Sequence, residues 1–316
     1  MKARTIRMFP LLLCLPVTAL FATAGGWTGG PGDESNPVRK NGPKIYISAD
    51  MEGLAAAVSA EQLGPSGFEY GAYREIMTRE VLAAIEGARE MGAGEILVSD
   101  SHGNGQNIIP DMLPPDVQLV RSWPRPLMMM EGIDGTFDGV IFIGYHSGTT
   151  NPEGVRAHTM SSTNLTDIRI HGRSMNEAGI NAAIAGHFGV PVIMVTGDDA
   201  SIAETHALIG DFEEVVVKEA ISYHAAKVIT PAAAYELIKE AAGRAVSRIN
   251  DFKPFMVDTP VTVEVQFKNY RPGQLLAYLP MFTRIDAHAV RYTARDMPEA
   301  SRVLEFILSY QVGLTP

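Results

Sequence analysis

The chain reads as a layered α/β domain, a mostly parallel sheet flanked by helices, with a smaller α+β C-terminal region. Three observations predict this. From Lys44 onward, short apolar runs alternate with stretches of helical periodicity, the pattern of a layered α/β fold. The run Gly139-Val140-Ile141-Phe142-Ile143 is continuously apolar, as suits a parallel strand covered on both faces. The length, 316 residues, suffices for a large core domain with a smaller second region.

Residues 1–24 carry the layout of a secretory signal. Lys2, Arg4 and Arg7 precede an apolar run from Met8 to Phe21, and Ala22-Thr23-Ala24 supplies a small–x–small cleavage pattern. A membrane anchor fits less well, because the run is short and Pro10 and Pro16 interrupt it. Lipoprotein processing at Cys14 fits less well again, since Leu13 is bulky where a small residue is needed. An exported, periplasmic or secreted protein without a stable membrane anchor is therefore expected. Cleavage removes three basic residues and takes the net charge from −10 to −13. Such an acidic chain is a poor partner for nucleic acid or anionic lipid. Cys14 is the sole cysteine, so the mature chain holds metal, if at all, through His, Asp and Glu.

Residues 25–43, rich in Gly, Pro, Ser and Asn, read as a flexible leader. Residues 44–210 then read as the α/β metal-binding catalytic domain and residues 211–316 as the α+β region. Strands are expected at residues 45–48, 95–98, 139–143 and 190–195. Helices are expected at residues 70–91, with an apolar stripe through Met77, Val81 and Ile85, and at residues 176–188. In the C-terminal region, Val215-Val216-Val217 begins a further element. Thr230 and Pro231 open a helix over residues 231–249. Residues 261–267 alternate like a half-exposed strand, and residues 297–310 form a closing helix.

The strand ends carry the chemistry. They run into Asp50-Met51-Glu52-Gly53, Asp100-Ser101-His102-Gly103, Gly144-Tyr145-His146-Ser147 and Gly197-Asp198-Asp199. Ligands of open α/β sheets bind outside the carboxyl ends of the strands. If these strands are parallel, Asp50, Glu52, His102 and His146 converge there. Asp50 and Glu52, two apart, face the same side of an extended segment. Without thiols, such a carboxylate–imidazole cluster is what zinc or a similar divalent ion requires. Twelve residues on, His158 is open to three readings: ligand, general base or core residue. Glu177 begins a helix and either complements its dipole or joins the site. The other histidines, at 171, 187, 206, 224 and 288, read as structural or solvent-exposed.

Six ordered motifs resemble those of the M55 zinc D-aminopeptidases: Ser48-Ala49-Asp50-Met51-Glu52-Gly53, Asp100-Ser101-His102, Gly144-Tyr145-His146, His158-Thr159-Met160, the stretch from Asn176 to Asn181, and Val195-Thr196-Gly197-Asp198-Asp199. The resemblance runs from about residue 44 to 232 and continues more loosely beyond. It implies two zinc ions per subunit held by Asp50, Glu52, His102, His146 and Glu177, with Asp50 bridging. It also implies a catalytic role for His158, and a homo-oligomer, a ring or decamer. The expected function is release of N-terminal D-amino acids of the D-Ala type from short peptides, by a metal-activated water with His158 assisting. Another metal-dependent hydrolase, an amidase or phosphoesterase, is the alternative, or a non-catalytic exported peptide-binding protein. Departures are Asn176 where the family has Gly, one extra residue within Asn151-Pro152-Glu153-Gly154, and Ile221-Ser222-Tyr223-His224 where an Arg is usual.

Overall fold

A computed structural model describes residues 42–310. The signal and nearly all of the leader lie outside the described residues. The chain runs through β1 (Ile45–Ala49), α1 (Ala60–Leu63), α2 (Tyr70–Glu90), β2 (Ile96–Asp100), β3 (Gln118–Val120) and β4 (Gly139–Tyr145). Then come β5 (Leu165–Ile170), β6 (Arg173–Ser174), α3 (Glu177–His187), β7 (Val192–Asp198), α4 (Asp199–Ile209), β8 (Glu213–Ser222) and β9 (Ala225–Val228). The last elements are α5 (Pro231–Ser247), β10 (Val261–Phe267), α6 (Tyr270–Leu276), β11 (Thr283–Arg284), β12 (Ala289–Ala294) and α7 (Met297–Ser309).

Seven strands form the main sheet in the order β3-β2-β1-β4-β7-β8-β9. All its pairings are parallel except β8 with β9. Every residue of β1, β2, β4 and β7 is buried, so these strands are covered on both faces. Helices α2 and α5 pack on each other and against β1, β4, β7 and β8, while α3 and α4 pack on each other and against β4, β7 and β8. A second, antiparallel sheet has the order β11-β12-β10-β5-β6, and α7 packs against β10, β12 and α3.

The expected mostly parallel α/β sheet is present. The position-210 boundary falls in the turn between α4 and β8, and each sheet draws strands from both sides of it.

What matters for function is the register. Ala49, the last residue of β1, pairs with Asp100 on one side and Ile143 on the other. β1 and β2 therefore end at one level, and β4 runs two residues further, to Tyr145. The sheet also switches direction here: β2 and β3 extend it one way from β1, and β4, β7 and β8 the other. A topological switch point opens a crevice at the carboxyl edge.

Candidate metal centre

Each strand end is held by the chemistry of the loop that follows. After β1, the backbone of residues 50–53 lies directly on that of β4. Asp50 N donates to Ile143 O (2.8 Å) and Gly53 N to Gly144 O (2.7 Å). A side chain at either glycine would collide: a Cβ on Gly53 would lie 2.0 Å from Tyr145 O, and one on Gly144 2.3 Å from Asp50 O. Gly144 also has φ +70°, where only glycine sits without strain. After β2, the Asp100 carboxylate accepts from the backbone N–H of Asn107 (2.5 Å) and Ile108 (2.7 Å) and curls the loop that carries His102.

The crevice gathers every predicted site residue. His102 Nδ1 lies 3.0 Å from Asp50 Oδ1 and 2.8 Å from Glu52 Oε2. His146 Nε2 lies 3.3 Å from Asp50 Oδ2 and 3.4 Å from Glu177 Oε1. His158 Nε2 lies 3.8 Å from Glu177 Oε1, and its ring stacks on that of His146 at 4.1 Å. Asp50, Glu52, His102, His146 and Glu177 are all buried; His158 is more open.

Glu177 is thus no surface carboxylate complementing a helix dipole. It accepts the backbone N–H of Met160 (2.7 Å) and faces two imidazoles. Asn176, the departure before it, is the N-cap of α3, and its Oδ1 accepts from Gly179 N (2.8 Å). A cap was not foreseen there, although Asn is among the strongest capping residues.

The backbone fixes the tautomer of each imidazole. His102 Nε2 faces Leu63 O (2.6 Å), His146 Nδ1 faces Ser147 O (3.0 Å) and His158 Nδ1 faces Arg156 O (2.8 Å). A carbonyl only accepts, so the ring nitrogen facing it carries the proton. The other nitrogen of each ring points at carboxylates. This is the outer support that metal-ligating histidines use. The orphaned atoms agree: His146 Nε2 and Glu52 Oε2 are buried with no hydrogen-bond partner. Glu52 Oε2 is within 2.8 Å of His102 Nδ1 but outside hydrogen-bond geometry, so proximity there is not a bond.

The spacing fits zinc. Ligand atoms about 2.05 Å from a tetrahedral ion stand about 3.3 Å apart. The nitrogen–oxygen separations between predicted ligands are 2.8–3.4 Å. Ligand atoms also fall into two groups, each within 4.8 Å: Asp50, Glu52 and His146, and His146, His158 and Glu177.

The cluster competes strongly for protons. Burial alone would lower both buried imidazoles. The Glu52 and Asp50 carboxylates nevertheless hold His102, and Glu177 and Asp50 hold His146, well above the ordinary value. Burial and the neighbouring Glu52 charge raise Asp50. Glu52 goes the other way: burial would raise it, but the charges of His102, His158 and His146 together hold it well below the usual carboxylate range.

A cavity of about 600 Å³ opens onto the cluster. Its outer wall includes Trp123, Met128, Met160, Ser162, Glu305 and Leu308. Sequence reasoning did not find this wall. Its residues come from three separate segments, none with a local chemical signal. Five of the six non-glycine residues with positive φ lie in the segments around the site: Ala56, Ser122, Met128, Arg156 and Met160. Backbone strain of this kind gathers at functional sites, and the last two bracket His158. The remaining histidines stay outside the cluster; His206, for one, makes an exposed pair with Glu214 (2.9 Å).

Known proteins are similar to this chain in sequence and fold. The profile of the peptidase M55 family, described as D-aminopeptidase, matches residues 44–306. A curated D-aminopeptidase of Bacillus subtilis (strain 168) is 33% identical over 262 residues, covering 83% of this chain and 95% of its own length. The solved structure of the Zn-dependent D-aminopeptidase DppA from Bacillus subtilis, a self-compartmentalizing protease, superposes with a TM-score of 0.81 at 31% identity. That match covers 86% of this chain and all of the other. With the six motifs in order, the site residues of five of them in one crevice and the fold shared, the chain belongs to the peptidase M55 family of D-aminopeptidases.

Proposed function

We propose that the protein is an exported dinuclear zinc aminopeptidase that removes N-terminal D-residues, of the D-Ala type, from short peptides. The observation that carries this is the pair of overlapping ligand groups sharing His146, with every imidazole turned by a backbone carbonyl to offer its free nitrogen inward. In this reading Asp50, Glu52, His102, His146 and Glu177 would hold two zinc ions; the two oxygens of Asp50 face His102 and His146 separately, so its carboxylate could serve both. Zinc bound there supplies a Lewis acid that polarises the scissile carbonyl and lowers the pKa of water towards neutrality.

The chain's own groups do the rest. His158 keeps its Nδ1 proton on Arg156 O and leaves Nε2 to take a proton during attack and return it to the leaving amine. The cavity, about 600 Å³, is of a size to seat a di- or tripeptide. Burial of the ligands keeps bulk water from the reacting atoms.

Export rests on the signal layout of residues 1–24. Self-assembly is supported by the self-compartmentalizing relative and by exposed apolar side chains on and after α6: Tyr270, Leu275, Tyr278, Leu279, Met281 and Ile285.

The test is release of p-nitroaniline from D-Ala and L-Ala anilides by the mature chain, before chelation, after it, and after zinc is restored. D-selective turnover that is lost and regained with zinc is expected. L-selective turnover, or turnover indifferent to chelation, contradicts the reading. His158→Ala is expected to keep its zinc and lose about 10²–10⁴-fold in kcat; full activity would remove His158 from the mechanism.

A further inference from the structure

Lys218 on β8 is 1% exposed, and a buried ammonium costs several kcal/mol unless its donors are all used. No carboxylate forms an ion pair with it among the described residues. Its Nζ donates instead to three backbone carbonyls of one loop: those of Glu52, Leu54 (3.1 Å) and Ala57 (2.6 Å). This is the loop that follows β1 and bears Asp50 and Glu52.

Two further features show that the contact is built. The pairing of β8 with β7 slips between Gly197 and Asp198, so Val217 and Lys218 are both buried, although they adjoin on one strand. A bulge re-aims a side chain in this way. The negative groups that face the ammonium without pairing to it come from three elements: Asp198 beside it on β7, Glu80 on α2, and Asp50 and Glu52 in the loop. Glu80 also grips the same loop, where Oε1 accepts from Ala55 N (2.8 Å).

We propose that Lys218 is a positioning residue of the metal centre: it gathers the carbonyls of residues 52, 54 and 57 and so sets the aim of the Asp50 and Glu52 carboxylates at the metal. This rests on the zinc reading above. The rival is that Lys218 only satisfies buried carbonyls and contributes stability alone.

The experiment compares cobalt(II) and zinc binding by the full chain in wild type, Lys218→Met and Ile238→Ala. Ile238 is a buried residue of α5 and serves as a stability control. Metal affinity is read by competition with a chelator, and coordination by the visible absorption of bound cobalt, all well below the unfolding temperature. Lys218→Met is expected to weaken metal binding at least tenfold and to alter the cobalt spectrum. Ile238→Ala is expected to lower the unfolding temperature and leave both readouts unchanged.

Wild-type affinity and spectrum in Lys218→Met overturn the proposal. So does an equal loss of affinity in the control. If Lys218→Met is not recovered folded, Lys218→Gln, a neutral donor, decides by the same criteria: weakened binding supports the positioning role and unchanged binding overturns it. If the wild type itself binds neither metal, the zinc reading fails, and the proposal with it.

Discussion

At the residue scale, the cluster is a set of side chains at which protons and the proposed zinc would compete for the same lone pairs. His102 and His146 are held well above the ordinary imidazole value by the carboxylates they face. Zinc needs neutral imidazole, so it must displace those protons. Affinity is therefore expected to rise with pH across the range where these imidazoles lose protons, with proton release on binding. Calorimetric titration in two buffers of different ionisation enthalpy measures that release; affinity independent of pH would contradict it. Asp50, Glu52, His102 and His146 were legible because strand ends are local in sequence and the sheet makes them converge. Glu177 was only half legible, since an acidic helix start serves dipole and metal equally well. What brings it into the cluster is Met160 N and two imidazoles, all distant in the chain. The role of Lys218 was not legible, because its three partners lie more than 160 residues away.

At the element scale, the loop after β1 is clamped from two sides, by Lys218 and by Glu80. Burial pushes the Glu80 carboxyl up to about 7, against the opposing Ala55 N–H and the Lys218 charge. A carboxyl raised in the folded state favours folding below its unfolded pKa, and that contribution is lost as pH rises to the folded value. Wild type is therefore expected to lose about 3 kcal/mol relative to Glu80→Gln between pH 4.5 and 8. Denaturant titrations across that range check it; a pH-independent difference would contradict it. Other elements escaped the sequence for definite reasons. β5 and β10 pair across about a hundred residues, and nothing local marks residues 165–170 as a strand. α4 was hidden because Asp198-Asp199 reads as the end of a strand. Asp198 is also a cap, with Oδ1 accepting from Ser201 N (2.7 Å).

At the scale of the whole molecule, one sheet edge places the metal ligands while α7 and the segments at residues 122–130 and 158–163 wall the cavity. The exposed apolar side chains after α6 take no part in that wall, and the proposed assembly would cover them. Tyr278→Asp with Met281→Asp is expected to reduce the mass of the particle in sedimentation velocity while leaving zinc content unchanged; a wild-type particle would remove this surface from the interface.

The central claim is that five side chains from four chain segments hold two zinc ions. The most direct measurement is the zinc content of the purified full-length chain after exhaustive dialysis, beside that of Glu177→Gln. About two zinc ions per chain in wild type and about one in the variant are expected. One or fewer in wild type, or an unchanged count in Glu177→Gln, would contradict the account.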